Sequence, residues 1–124
     1  MANEITVTAS LRYTASAAPL YKILKSLSIN VSPGTGAKYV SGSQNIGTSE
    51  ENLVKGGITT IGWLIARNLS THSTAFVEFG HTTSKLSAKC LAGDVLVARY
   101  DSTNIIAKAT NAACDIEYLI IAQL

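Results

Sequence analysis

The side chains in this chain that could do chemistry are few and lie far apart along the sequence. Two histidines and two cysteines belong to the residue types that bind zinc: His72, His81, Cys90 and Cys114. No two of them stand at the short spacings that zinc sites use. We therefore expect histidines exposed in loops and two buried thiols, with a single disulfide as the alternative state of the cysteines. No metal site and no cofactor are expected.

The sequence also lacks a recognisable catalytic arrangement. The GxSxG turn that presents a serine nucleophile is absent. Asp115 and Glu117 alternate with Ile116 and Tyr118, so both carboxylates lie on one face of a predicted strand. Paired carboxylates can perform acid–base catalysis, but a solvated strand face is the commoner use of such a pattern. We expect a protein that is not an enzyme and has no catalytic residues.

Composition favours a protein that associates with other proteins. Charged residues make up 15% of the 124 residues and apolar residues 47%, whereas an average soluble domain is roughly 25% charged. The remaining surface must be built largely of serine, threonine, asparagine and alanine. Such a surface associates more readily than a heavily charged one.

Charge and hydropathy argue against other classes of partner. The net charge is +2, and none of the ten basic residues adjoins another, unlike the clustered positive charge of nucleic-acid binders. No run of 18 apolar residues suggests a membrane span. The opening MANEITVTAS lacks the basic start and apolar run of a signal peptide, so we expect synthesis in a cytoplasm. The triplet Asn-Leu-Ser at Asn68 is then a chance match to the glycosylation signal.

Short apolar runs separated by turn residues predict an all-β fold. Residues 5–13 alternate between apolar and polar side chains, which is typical of a half-buried strand. No helical segment of ordinary length separates the runs. We predict a single-domain antiparallel β-sandwich, jelly-roll-like, of about eight strands. It spans residues 1–124, with residues 1–20 as a candidate N-terminal arm. A second predicted strand ends at residue 31. The remaining predicted strands cover residues 38–47, 58–68, 75–79, 95–100, 105–109 and 116–122. Residues 85–93 are predicted to be a loop or partial strand.

Four local patterns lead to further expectations. Trp63 has apolar strand neighbours, so we expect it in the core of a central strand rather than on a binding platform. Thr48 and Glu51 match a capping box, which predicts one helical turn. Residues 20–27 fit either a short helical turn or the start of a strand. The apolar run 119–122 must be covered on both faces, by the sandwich itself or by a neighbouring copy.

Several motifs resemble those of small virion structural proteins of tailed bacteriophages. The matching runs are QNIGTSEENL, GWLIARNL, AFVEFG, LAGDVLVARY and the final CDIEYLII. In such proteins an NIGT-x-E turn precedes a GWL…NL strand, and an AGD turn precedes a strand like VLVARY. The resemblance covers residues 44–121 and rests on turns and core positions rather than on chemistry.

The resemblance implies a jelly-roll-like part of a phage particle, namely a capsid decoration or cement protein that binds the assembled shell. The expected partners are the major capsid protein and other copies of the chain, as a homotrimer, with no nucleic acid and no membrane. The expected location is the virion. A minor tail or neck protein that binds carbohydrate or a receptor is the alternative. The candidate contact segments, chosen for polarity and position, are residues 1–10, 32–36, 41–56 and 70–74.

Overall fold

Every element in the described part of the chain is a β-strand; the computed structural model describes residues 5–9, 27–31 and 39–123. The chain forms two compact units, Met1–Pro33 and Gly34–Leu124. In the first unit, β1 (Ile5–Ala9) pairs antiparallel with β2 (Leu27–Val31), so both strands predicted there are present. Most of the candidate arm and most of the segment 20–27 lie outside the described residues. The candidate contact segment 32–36 lies outside them as well.

The described residues of the second unit form eight strands. Most of them coincide with runs of alternating or continuous apolar residues, but one strand, Glu51–Asn52, consists of two polar residues. Residues 85–93, predicted as a loop or partial strand, contain a full strand. The strands are β3 (Tyr39–Ile46), β4 (Glu51–Asn52), β5 (Ile61–Asn68), β6 (Phe76–Thr82), β7 (Lys85–Leu91), β8 (Val95–Ser102), β9 (Ile106–Thr110) and β10 (Cys114–Ala122).

The strand order is that of a jelly roll. One sheet has the order β3-β10-β5-β8 and the other β4-β9-β6-β7, with all pairs antiparallel. The pairing is nested from the outside inward: β3 with β10, β4 with β9, β5 with β8, and β6 with β7. A long hairpin ribbon paired in this way and folded into two sheets is an eight-stranded jelly roll. The predicted antiparallel, jelly-roll-like sandwich is therefore confirmed.

The core of the sandwich lies between the two sheets, because alternate side chains of each strand point inward. In β10, for example, Ile116 and Ile120 are fully buried, whereas Asp115 and Glu117, on either side of Ile116, are exposed. Each large apolar side chain that is wholly buried contributes ~1.5–3 kcal/mol relative to an exposed one. The largest apolar side chains buried in this way are Phe79, Ile46, Ile61, Leu64, Ile105, Ile116 and Ile120.

The prediction that β5 is a central strand is confirmed, but the prediction that Trp63 belongs to the core is wrong. Leu64 and Ala66 are buried and point inward, so Trp63 and Ile65 lie on the outer face of the sheet. Ile61 is nevertheless fully buried, because the register of β5 against β8 shifts between Ile61 and Trp63. Such a bulge changes the face that a side chain meets.

The predicted capping box at Thr48 does not start a helix. Residues 47–50 form a bend, and Glu51 already belongs to β4. The Glu51 carboxylate accepts hydrogen bonds from the Gly47 N–H (3.0 Å) and from Gln44 Nε2 (2.9 Å). A capping box would have directed this carboxylate to the Thr48 N–H. Glu51 instead ties β4 back to β3 and closes the loop between them.

Gly80 allows β6 and β7 to approach closely where their register breaks. The pairing of these strands shifts between Phe79 and Gly80. A Cβ atom on Gly80 would lie 3.1 Å from Leu86 Cα and closer still to the Lys85 carbonyl oxygen. Because both contacts are with backbone atoms, no side-chain rotation could relieve them.

We predict that Gly80→Ala lowers the free energy of unfolding by about 1–3 kcal/mol, because the two strands must separate to admit the methyl group. Gly42→Ala is the matched control, since its Cβ would meet the Tyr118 hydroxyl at an ordinary 3.7 Å. Urea denaturation followed by circular dichroism measures both variants. Equal losses of stability would contradict the packing described for Gly80.

Burial of the Tyr100 side chain against the core raises its pKa to about 12. Because the pKa in the folded state is higher than the ordinary 10.0, the neutral phenol stabilises the fold fully below pH 10, and this stability is lost as the pH rises through 12. We predict that stability falls over this range and that it falls less steeply in Tyr100→Phe. Tyr39→Phe, at an exposed position, is the control. Urea midpoints measured across the range test this, and identical slopes for wild type and Tyr100→Phe would contradict it.

Candidate functional site

The four residues of metal-ligand type are not brought together into a site. His72 is exposed in the loop between β5 and β6, and His81 is exposed on β6 rather than in a loop. Cys90 and Cys114 are free thiols and are buried as predicted, and burial raises the pKa of the Cys90 thiol. Within residues 5–9, 27–31 and 39–123, no group of three or more His, Cys, Asp or Glu side chains could hold a metal ion.

The two carboxylates of β10 have separate partners. Asp115 accepts a hydrogen bond of 2.7 Å from Asn45 Nδ2. Glu117 lies 3.9 Å from Arg67, and these two side chains are 54% and 57% exposed. Both carboxylates share one strand face, as predicted. Their geometry is that of a solvated strand face rather than of an acid–base pair.

Asn68 is a buried polar hub that joins strand and turn segments. Its side-chain amide donates to the Cys90 carbonyl (3.1 Å), and its side-chain oxygen accepts from the Ser70 N–H (2.9 Å). Its backbone N–H donates to the Asp94 carbonyl, and its carbonyl accepts from the Gly93 N–H. Asn68 is wholly buried. Its Asn-Leu-Ser triplet is therefore explained by structure, because the amide that a glycan would need is already bonded inside the fold.

We predict that Asn68→Ala lowers the free energy of unfolding by about 2–3 kcal/mol, because the Cys90 carbonyl and the Ser70 N–H lose a partner. Asn45→Ala removes an exposed hydrogen bond and is the matched control, expected to change stability by less than about 0.5 kcal/mol. Chemical denaturation of both variants measures the difference. A stable Asn68→Ala protein would show that the hub is dispensable.

The outer face of the β4-β9-β6-β7 sheet carries a charged row beside the apolar pair Phe76 and Leu91. Along one row of this face, Glu78 of β6 lies between Lys89 of β7 and Lys108 of β9. Lys89 Nζ also lies 3.8 Å from the centre of the Phe76 ring. Opposite charges on neighbouring strands are a favourable arrangement for a sheet face in water.

The outer face of the β3-β10-β5-β8 sheet carries a cluster of aliphatic side chains at its centre. Two cross-strand rows meet at its centre, and we call their six residues the open patch. One row is Leu119, Ile65 and Val97, and the other is Glu117, Arg67 and Val95. Apart from one ion pair, every side chain in the open patch is aliphatic. Val95 is 61% exposed and Val97 is 36% exposed.

An open depression with a volume of about 430 Å³ lies over the open patch. Its lining includes every residue of the open patch except Val97, and it extends to Ser41 and Gly42 of the edge strand β3. Because the β3 residues are small, the surface is recessed beside the aliphatic row. A recess of this size could receive aliphatic side chains from a partner.

The open patch is a contiguous exposed apolar surface, and such surfaces favour association. Among the described residues, no helix has the length and apolar character needed to cross a membrane. The chain matches no model of a known protein family, no curated protein sequence and no solved structure.

The open patch was not predicted from the sequence, which suggested contacts through polar segments instead. Of the candidate contact segments, residues 70–74 form a largely exposed loop. Residues 32–36 and part of 1–10 lie outside the described residues. The role of all four segments as contacts stays a prediction. A usable signal was present in β8, where Val95 and Val97 alternate with Leu96 and Ala98. An edge strand that is apolar on both faces calls for a partner.

Proposed function

We propose that this chain is a non-enzymatic structural protein of a bacteriophage particle, a capsid decoration or cement protein that binds the assembled shell. Its partners are the major capsid protein and other copies of itself, and its location is the virion. The observation that supports this proposal is the open patch, a cluster of exposed aliphatic side chains with one ion pair at the centre of a sheet's outer face.

The fold is compatible with this function without deciding it. Jelly rolls occur in viral capsid proteins, in lectins and in cupins, so the topology alone assigns no role. The outer face adds the second argument, because an exposed aliphatic surface with a single ion pair suits permanent burial in an assembly. On a symmetric shell, many contacts of modest strength add together through multivalency.

One observation supports the alternative, a tail or neck protein that binds carbohydrate. Trp63 lies on the outer face instead of in the core, and the Arg99 guanidinium lies 5.7 Å from its ring. Tyr39, in the neighbouring β3–β10 pair, is 65% exposed. Aromatic side chains on a lectin-like fold could stack against a sugar ring. The indole of Trp63 is only partly exposed, however, so we rank this function second.

The copy number of this chain in purified phage particles tests the proposed function. Quantitative mass spectrometry would compare the chain with the major capsid protein of the same particles. A decoration or cement protein repeats with the shell, so we expect copies on the order of hundreds in a simple ratio to the capsid protein.

Two other results would count against the proposal. A dozen copies or fewer would place the chain at the tail or neck and favour the carbohydrate-binding alternative. Absence from particles whose genome encodes the chain would refute a virion function of any kind.

A further inference from the structure

The open patch has a charge and shape pattern that is complementary to itself. Its ion pair joins neighbouring central strands, with Glu117 on β10 directly opposite Arg67 on β5. In the adjacent row, Leu119 of β10 lies directly opposite Ile65 of β5. A surface that carries both members of a charge pair side by side can match a rotated copy of itself.

One two-fold axis satisfies this pattern, and it runs between β5 and β10, parallel to both strands. Rotation about this axis places β5 of one copy over β10 of the other. Arg67 then faces Glu117 of the second copy, and Ile65 faces Leu119 of the second copy. An axis across the strands would instead place like charges together or set the ionic row against the aliphatic row.

The same rotation matches the exposed valines to the recess. β8 and β3 lie at equal distances on either side of the axis, because the strand order is β3-β10-β5-β8. Val97 shares a row with Ser41 through Ile65 and Leu119, so Val97 of one copy faces Ser41 of the other. The small residues Ser41 and Gly42, which line one side of the depression, would leave room for the valine.

We propose that the open patch binds a second copy of this chain, face to face, about this two-fold axis. The two sheets would stack roughly 10 Å apart, as in other packed sheets. This inference rests on the proposed use of the apolar face for assembly, but it does not depend on the phage assignment. It makes the dimer, rather than the trimer expected from the resemblance, the basic unit of assembly.

Charge reversal in the full-length chain tests the proposal. Sedimentation velocity of the wild type should show a species of twice the 13.0 kDa chain mass. Arg67→Glu alone and Glu117→Arg alone should each weaken the dimer about tenfold or more, because each places like charges together. An equimolar mixture of these two variants should dimerise again, and native mass spectrometry should identify the product as the mixed dimer. Lys89→Glu, on the outer face of the other sheet, is the matched control and should dimerise like the wild type.

The mixture distinguishes a contact between copies from an ion pair that acts only within one chain. Both variants lack the ion pair within the chain, so recovery on mixing requires a contact between chains. A wild type that stays monomeric, single variants that dimerise normally, or a mixture that stays monomeric would each overturn the proposal. If the wild type is monomeric but Arg67→Glu reduces its copy number in particles, the face binds the shell protein instead and the proposed function survives. If the chain dimerises as predicted but is absent from particles, the dimer proposal stands and the proposed virion function is refuted.

Discussion

Strands β5 and β10 form the centre of one sheet and carry apolar side chains on both of their faces. Their inward residues, such as Leu64 and Ile120, are wholly buried against the second sheet. Their outward residues, such as Ile65 and Leu119, cannot reach the same core, because successive side chains of a strand point to opposite faces. The fold therefore completes its core and still leaves an aliphatic surface. This constraint connects the sequence pattern of two strands with the proposed assembly of the whole protein.

The second sheet shows that an apolar outer surface is not a general consequence of the jelly roll. It shares the core and the nested topology, yet its outward row pairs Glu78 with Lys89 and Lys108. The sandwich can thus be closed by a sheet whose central outward row is charged. The aliphatic residues of the other outer face add nothing to the core between the sheets, and exposed valines increase the tendency to associate. A role in binding accounts for them more simply than a role in folding.

Local patterns in the sequence were enough to predict the class of fold, because the period-two alternation that defines a strand is visible within a few residues. The face occupied by Trp63 could not be predicted, because β5 is apolar on both faces and alternation alone does not say which face meets the core. The bend before Glu51 was predicted as a helical turn, because the Glu51 carboxylate can accept from either of two neighbouring N–H groups, those of Gly47 and Thr48. The open patch as a whole could not be predicted from local patterns. Arg67, Glu117 and Val95 become neighbours only because distant segments of the chain pair in the sheet.

The claim that the protein assembles through the outer face of the β3-β10-β5-β8 sheet is tested most directly by hydroxyl-radical footprinting. The oxidation of each side chain would be measured by mass spectrometry in concentrated, associated protein and again after dilution. We predict that association protects Val95, Val97 and Leu119, while Phe76 and Leu91 on the opposite outer face are oxidised equally in both samples. Protection of Phe76 and Leu91, with Val95 and Val97 unchanged, would contradict this account of the molecule.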